Sequence, residues 1–199
     1  MDEQPADDSS PLLNRTELVG AAAAAAAVGI AAMFLAPPLA ALATAVLALL
    51  MGLITLIDFR HFIIPNALSY PAVPLGIAAN IALFHPGDWT AGLTESLLGA
   101  ALGGGIFFLM RALWFRLRGI EGLGLGDVKL AAVAGAWLGP ALLPTACLVA
   151  SLAGLCGIMV MKLMGRRVGL TDEIPFGSFI APVILLVWIG RVAADVPFW

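Results

Sequence analysis

Polar residues fall at the start of the chain and in a few short breaks. Between them the sequence stays apolar for 16 to 23 residues at a time. Seven such stretches stand out, at 17–36, 39–57, 67–84, 91–113, 128–143, 145–164 and 179–194. A helix rises about 1.5 Å per residue, so a hydrocarbon core about 30 Å thick takes roughly 20 residues to cross. The pattern predicts an all-α, polytopic transmembrane bundle of about seven helices. The fifth stretch is short, and its border with the sixth is soft. Residues 128–164 suffice for two crossings turned at Gly139-Pro140 and Pro144. The alternative is one long kinked helix, which would reverse the C-terminus. Residues 1–16, with Asp2, Glu3, Asp7 and Asp8, read as a disordered acidic tail.

Composition excludes the soluble classes. Of 199 residues, 61% are hydrophobic and 12% charged, against about 45–50% and about 25% in soluble domains. The mean hydropathy is +1.02. A net charge of −3 gives no footprint for nucleic acid. Cys147 and Cys156, the two cysteines, are too few for a zinc tetrad or disulfide framework and read as small apolar residues. The basic residues carry more information. With the N-terminus inside, Arg15, Arg60, Arg111, Arg116, Arg118, Lys129, Lys162, Arg166 and Arg167 share one side, and only Arg191 falls on the other. That asymmetry places the N-terminus in the cytoplasm and the C-terminus outside. The run Ala21–Ala27 could belong to a signal peptide, but the flank before it is acidic and the apolar run long, so a retained helix is the reading.

Two polar segments interrupt this pattern where chemistry would show. One runs from Asp58 to Asn66, after the second helix; the other runs from Glu121 to Lys129 and opens the fifth. Two crossings separate Asp58 from Asp127, so both lie at the same boundary. Two carboxyls in one site cannot both ionise cheaply, and such a pair can retain one proton. The ionised partner can take a proton from water while the protonated one hydrogen-bonds a peptide carbonyl, the logic of aspartic proteases. Gly122, Gly124 and Gly126 leave little bulk beside Asp127 and permit positive φ or close backbone approach. Pro65 suits the first turn of the third helix, with Asn66 as a cap.

Plainer readings stand beside these. Asp127 could simply cap its helix, and Asp58 could be an interfacial charge answered by Arg60. His61 reads as a solvated loop residue rather than a metal ligand. Lys129 either acts on Asp127 or anchors the helix at the interface. Glu95 is a functional candidate as an intramembrane carboxylate, or reaches the outer interface. Gly99, Gly103, Gly104 and Gly105 read as close helix packing.

Asp58 with Ile64-Pro65-Asn66, then Gly124-Leu125-Gly126-Asp127-Val128-Lys129-Leu130, and Ile174-Pro175-Phe176-Gly177 before the last helix, together resemble the prepilin peptidases (type IV leader peptidases), membrane aspartic proteases of the Gly-x-Gly-Asp type. The resemblance spans about residues 39–185. It implies that Asp58 and Asp127 are the catalytic pair, with Pro65, Asn66, Gly124, Gly126, Lys129, Pro175, Phe176 and Gly177 shaping the site. It also implies cleavage after the glycine that ends the basic leader of a prepilin or pseudopilin, at the cytoplasmic face of the inner membrane, without metal, cofactor or covalent intermediate. The expected organisation is a tail over 1–16, one added helix over 17–36 and a six-helix catalytic core over 39–196.

Many members of the family carry a cysteine tetrad and methylate the new N-terminus. The short link at Pro37-Pro38 leaves no room for that insert, so the chain resembles the short form of tight-adherence (Flp) systems. Ser178 stands where the family often has a second proline, a departure read as touching loop detail rather than chemistry. Oligomeric state is not legible. Competing expectations are a presenilin-like protease, which differs by its Pro-Ala-Leu motif; a transporter using both aspartates as carriers; and a non-catalytic pilus-assembly protein.

Overall fold

The computed structural model describes residues 12–34, 36–119, 122–164 and 176–195. They form six helices: α1 (Arg15–Met33), α2 (Pro38–His61), α3 (Asn66–Phe84), α4 (Trp89–Arg118), α5 (Leu125–Leu163) and α6 (Gly177–Asp195). Each is long and apolar enough to cross a membrane, and the protein is a multi-pass membrane protein.

Helix α5 holds both the fifth and the sixth expected stretches. At 39 residues it would measure about 58 Å if straight, nearly twice the hydrocarbon thickness. It is not straight. Gly139 leaves the helical conformation (φ 71°, ψ 174°), and the chain doubles back there. Ala131 and Ala134 before the break share one small cavity with Ala146 and Ala150 after it. On a continuous helix Ala131 and Ala150 would stand about 28 Å apart. The reversal therefore takes one residue, not the loop over 139–144 that the sequence suggested. Pro140 follows directly, in a first turn where the missing N–H costs little.

The start of the chain also differs from expectation. Residues 1–11 lie outside the described region, but the helix begins at Arg15, inside the segment expected to be a disordered tail. The Asn14 N–H donates to the Glu17 carboxylate at 2.9 Å, an N-terminal cap. Glu17 also pairs with Arg60 of α2, which ties α1 to the last turn of α2. Asp88 caps α4, and bonds from the Thr90 hydroxyl and the Ala91 N–H hold its carboxyl below the usual carboxylate range.

The core lies among α2, α3, the first arm of α5 and α6, and is centred on Trp137 and Trp188, both fully buried. Their rings meet edge to face at 5.0 Å. An indole N–H buried in an apolar interior needs an acceptor; Trp137 donates to the Ala72 carbonyl at 2.8 Å and Trp188 to the Thr44 hydroxyl at 3.0 Å. Helix α4 closes on the first arm of α5 through glycines. A Cβ on Gly99 would strike the Gly135 carbonyl, and one on Gly103 the Ala131 carbonyl. Gly105, expected in the same contact, faces open space.

Arg191 of α6 and Glu95 of α4 meet at the end of the bundle away from Asp58. Arg191 donates to Glu95 Oε1 at 2.9 Å, to Asn80 Oδ1 at 3.3 Å and to the Trp137 carbonyl at 3.2 Å. His85 lies 2.5 Å from the other Glu95 oxygen. Glu95 is thus a paired group rather than one reaching outward alone. The Trp137 carbonyl is among those freed by the break at Gly139, and a Cβ on Gly139 would collide with Glu95. The break, the ion pair and the glycine form one arrangement.

Candidate active site

Asp58 occupies the last turn of α2, where a carboxylate faces the negative end of its own helix. The structure answers this with α6. The Ser178 backbone N–H donates to Asp58 Oδ2 at 2.6 Å, and the Ser178 hydroxyl donates to the same oxygen at 3.0 Å. The hydroxyl also lies 3.3 Å from the Thr55 carbonyl. Among the described residues Asp58 Oδ1 accepts no hydrogen bond. Asp58 is buried.

Asp127 sits in the first turn of α5. Its carboxylate lies beside Gly124, the residue before the helix, at the positive end of α5. It also lies close enough to Asp58 for the two charges to act on one another. The capping and paired readings of this residue are compatible.

The segment between Phe62 and Asn66 forms the third wall. Phe62 ends α2 in the left-handed region (φ 55°), its N–H bonded to the Asp58 carbonyl at 2.9 Å. This turn delivers Ile64 between the other two motifs. A Cβ on Gly126 would come within 3.0 Å of the Ile64 side chain, and one on Gly177 within 2.8 Å of it and 3.0 Å of the Asp58 carboxyl carbon. The motif glycines are therefore needed for close approach. None of Gly122, Gly124 and Gly126 has positive φ, so conformational freedom is not their reason.

Pro65 and Asn66 exchange the roles expected of them. Pro65 is the capping residue, its carbonyl accepting from Leu68 and Ser69, and Asn66 is the first helical residue. The Asn66 side chain instead accepts from Lys129 Nζ at 2.6 Å. Lys129 lies 5.7 Å from the centre of the Tyr70 ring. It joins α5 to α3 rather than answering Asp127. The Phe176 carbonyl receives the first bonds of α6 from Phe179 and Ile180, and its ring lies near Gly154 on the returning arm of α5. Pro175, Ile174, Glu121, Arg166 and Arg167 lie outside the described residues. His61 approaches the Leu12 carbonyl at 3.1 Å. Among the described residues no three His, Cys, Asp or Glu gather as metal ligands.

Sequence reasoning took Ser178 for a loop detail, whereas it bonds Asp58, and it did not single out Tyr70. The signal for Ser178 was its place directly after Gly177, where the first turn of a helix has N–H groups without helical partners.

A profile of the type IV leader peptidase family matches residues 45–159. The chain belongs to this family. It is 36% identical over 176 residues to a prepilin leader peptidase/N-methyltransferase of Burkholderia pseudomallei (strain 1026b), covering 86% of this chain and 53% of that protein. It is 39% identical over 153 residues to the protein of that name from Pseudomonas aeruginosa, covering 73% and 50%. The Escherichia coli (strain K12) protein so named is 36% identical over 129 residues, covering 64% and 54%. The chain spans about half the length of the curated relatives it matches. No solved structure matches it.

Proposed function

We propose that this protein is a membrane aspartic endopeptidase that removes the short leader of prepilin-like proteins, cutting after a glycine by water activated between Asp58 and Asp127. The observation that supports this reading is that Asp127 lies within reach of the Asp58 charge although the two stand on helix ends far apart in sequence, beside glycines that let the Ile64 and Asp58 side chains pack close. The names of the relatives supply the substrate class.

In the mechanism, one carboxylate takes a proton from water as the water oxygen attacks the peptide carbonyl, while the other gives its proton to the carbonyl oxygen. Lys129 and Asn66 brace the two motif segments, and Gly124, Gly126, Gly177, Pro65, Pro175 and Phe176 shape the space for an extended substrate. The excess of Lys and Arg on the side of the pair supports a site facing the cytoplasm from the inner membrane, where a basic leader resides before export.

The test is cleavage of a candidate prepilin in native membranes or detergent by wild type, Asp58→Asn and Asp127→Asn, with the new N-terminus read by mass spectrometry. Cleavage after glycine should fall by at least about a hundredfold in each variant at equal protein level. Substantial cleavage by either variant removes the paired mechanism. A well-folded wild type that cleaves no pilin-like leader removes the function.

A further inference from the structure

We infer that Ser178 is a positioning residue that divides the work of the carboxyl pair: it holds Asp58 as the ionised partner that takes a proton from water, leaving Asp127 to carry the proton that polarises the peptide carbonyl. The inference rests on the peptidase reading above and goes beyond it, because that reading leaves the two aspartates interchangeable.

The donors around the pair are unequal. Asp58 Oδ2 receives two hydrogen bonds from one residue, at 2.6 Å from the Ser178 N–H and 3.0 Å from its hydroxyl. Asp127 lies beside Gly124 at the start of α5 and, among the described residues, has no comparable pair of donors. A backbone N–H can only donate, so Oδ2 has to present a lone pair at that short distance. The hydroxyl proton has two acceptors within reach, and Asp58 Oδ2 is nearer than the Thr55 carbonyl at 3.3 Å. Hydrogen bonds to an ionised carboxyl favour that form. Ser178 also stands in the first turn of α6, so the positive end of that helix faces Asp58 and offsets the negative end of α2.

The surrounding charges leave this asymmetry in place. Among the described residues, the first turns of α6 and α3 carry no charged side chain. On α5 the charged groups are Asp127 itself, Lys129, which is engaged with Asn66 and the Tyr70 ring, and Lys162 in the last turn of the returning arm; on α4, Arg111 donates to the Leu123 carbonyl. On α2, Arg60 is paired with Glu17 of α1, and His61 approaches the Leu12 carbonyl.

The steps then balance. Asp58 takes one proton from water as the C–O bond forms, and Asp127 gives its proton to the carbonyl oxygen, which makes a tetrahedral diol. On collapse the C–N bond breaks. Asp58 passes its proton to the leaving nitrogen, and Asp127 regains one from a diol hydroxyl. Water has been added across the peptide bond, and both carboxyls return to their starting states.

The experiment is the pH profile of kcat/KM for cleavage of one prepilin by wild type and three variants. Ser178→Pro removes both donors at a first-turn position where proline is tolerated. Ser178→Ala removes the hydroxyl alone, and Ser178→Thr keeps both donors. Losing donors to the ionised form makes Asp58 easier to protonate, so the acidic limb moves to higher pH. The expected shift is about one unit for Ser178→Pro, with a smaller one for Ser178→Ala and none for Ser178→Thr. A role in packing alone would lower the rate without moving the limb. Profiles for Ser178→Pro and Ser178→Ala that coincide with wild type overturn the inference while leaving the peptidase intact. A wild type that cleaves nothing overturns the peptidase reading, and this one with it.

Discussion

Adding one methyl group at Gly177 should disable the site while leaving the helix that carries it intact. A Cβ there would lie 2.8 Å from Ile64 Cδ1 and 3.0 Å from both Cγ and Oδ2 of Asp58. Favourable contact between heavy atoms begins near about 3.5 Å, so about half an ångström has to be found. The Ile64 methyl can rotate away. The Asp58 carboxyl can retreat only by stretching its bonds to Ser178, now 2.6 and 3.0 Å. A hydrogen bond to a charged group contributes about 1.5–3 kcal/mol. Losing the equivalent of one predicts a fall in kcat/KM of about ten- to 150-fold at about 1.4 kcal/mol per factor of ten. The backbone does not object, because Gly177 has no positive φ, and alanine is the better helix former by about 1 kcal/mol. The assay is the initial rate of prepilin cleavage in proteoliposomes, with thermal unfolding in detergent measured alongside. Gly105→Ala is the control, since nothing lies within 4 Å of a Cβ there. A Gly177→Ala enzyme that matches Gly105→Ala in rate would refute the reasoning.

Two further outcomes are expected. Lys129→Met, which keeps the apolar stem but cuts the link to Asn66, should lower kcat/KM about fivefold, the discount reflecting its exposure, with membrane insertion unchanged; an unaltered rate would show the brace to be dispensable. Glu95→Gln or Arg191→Met alone should each destabilise the protein by about 1–3 kcal/mol, because each breaks the ion pair while His85, Asn80 and the Trp137 carbonyl remain as partners. The double variant should recover at least about 1 kcal/mol of the summed loss in detergent unfolding, and strictly additive losses would contradict the coupling.

The sequence made the vertical order of this protein legible and left its rotations hidden. Apolar run lengths located the helices to within a few residues, and counting crossings put Asp58 and Asp127 at one end, with Arg191 isolated at the other. None of this shows which way a helix turns about its axis. In water an apolar stripe marks the buried face, but lipid and protein interior are equally apolar, so membrane helices lack that mark. Hence the meeting of Arg191 with Glu95 and His85 could not be read, nor could Ile64 as the residue lying against both Gly126 and Gly177. The single-residue reversal at Gly139 was half visible: Gly-Pro signalled a turn, but Pro144 suggested a longer one. Ser178 was hidden because its N–H and hydroxyl reach across 120 residues to Asp58.

That reach also sets an order in time. Asp58 is synthesised first, Asp127 next and Ser178 last. At about 5–20 residues per second, the 51 residues from position 127 to position 178 take roughly 3–10 s to add. For that interval a growing chain can hold both aspartates in the bilayer with Asp58 still facing the negative end of α2 and no donor opposite. The first turn of α6 is the closing piece, so the centre becomes whole only when this helix arrives and docks.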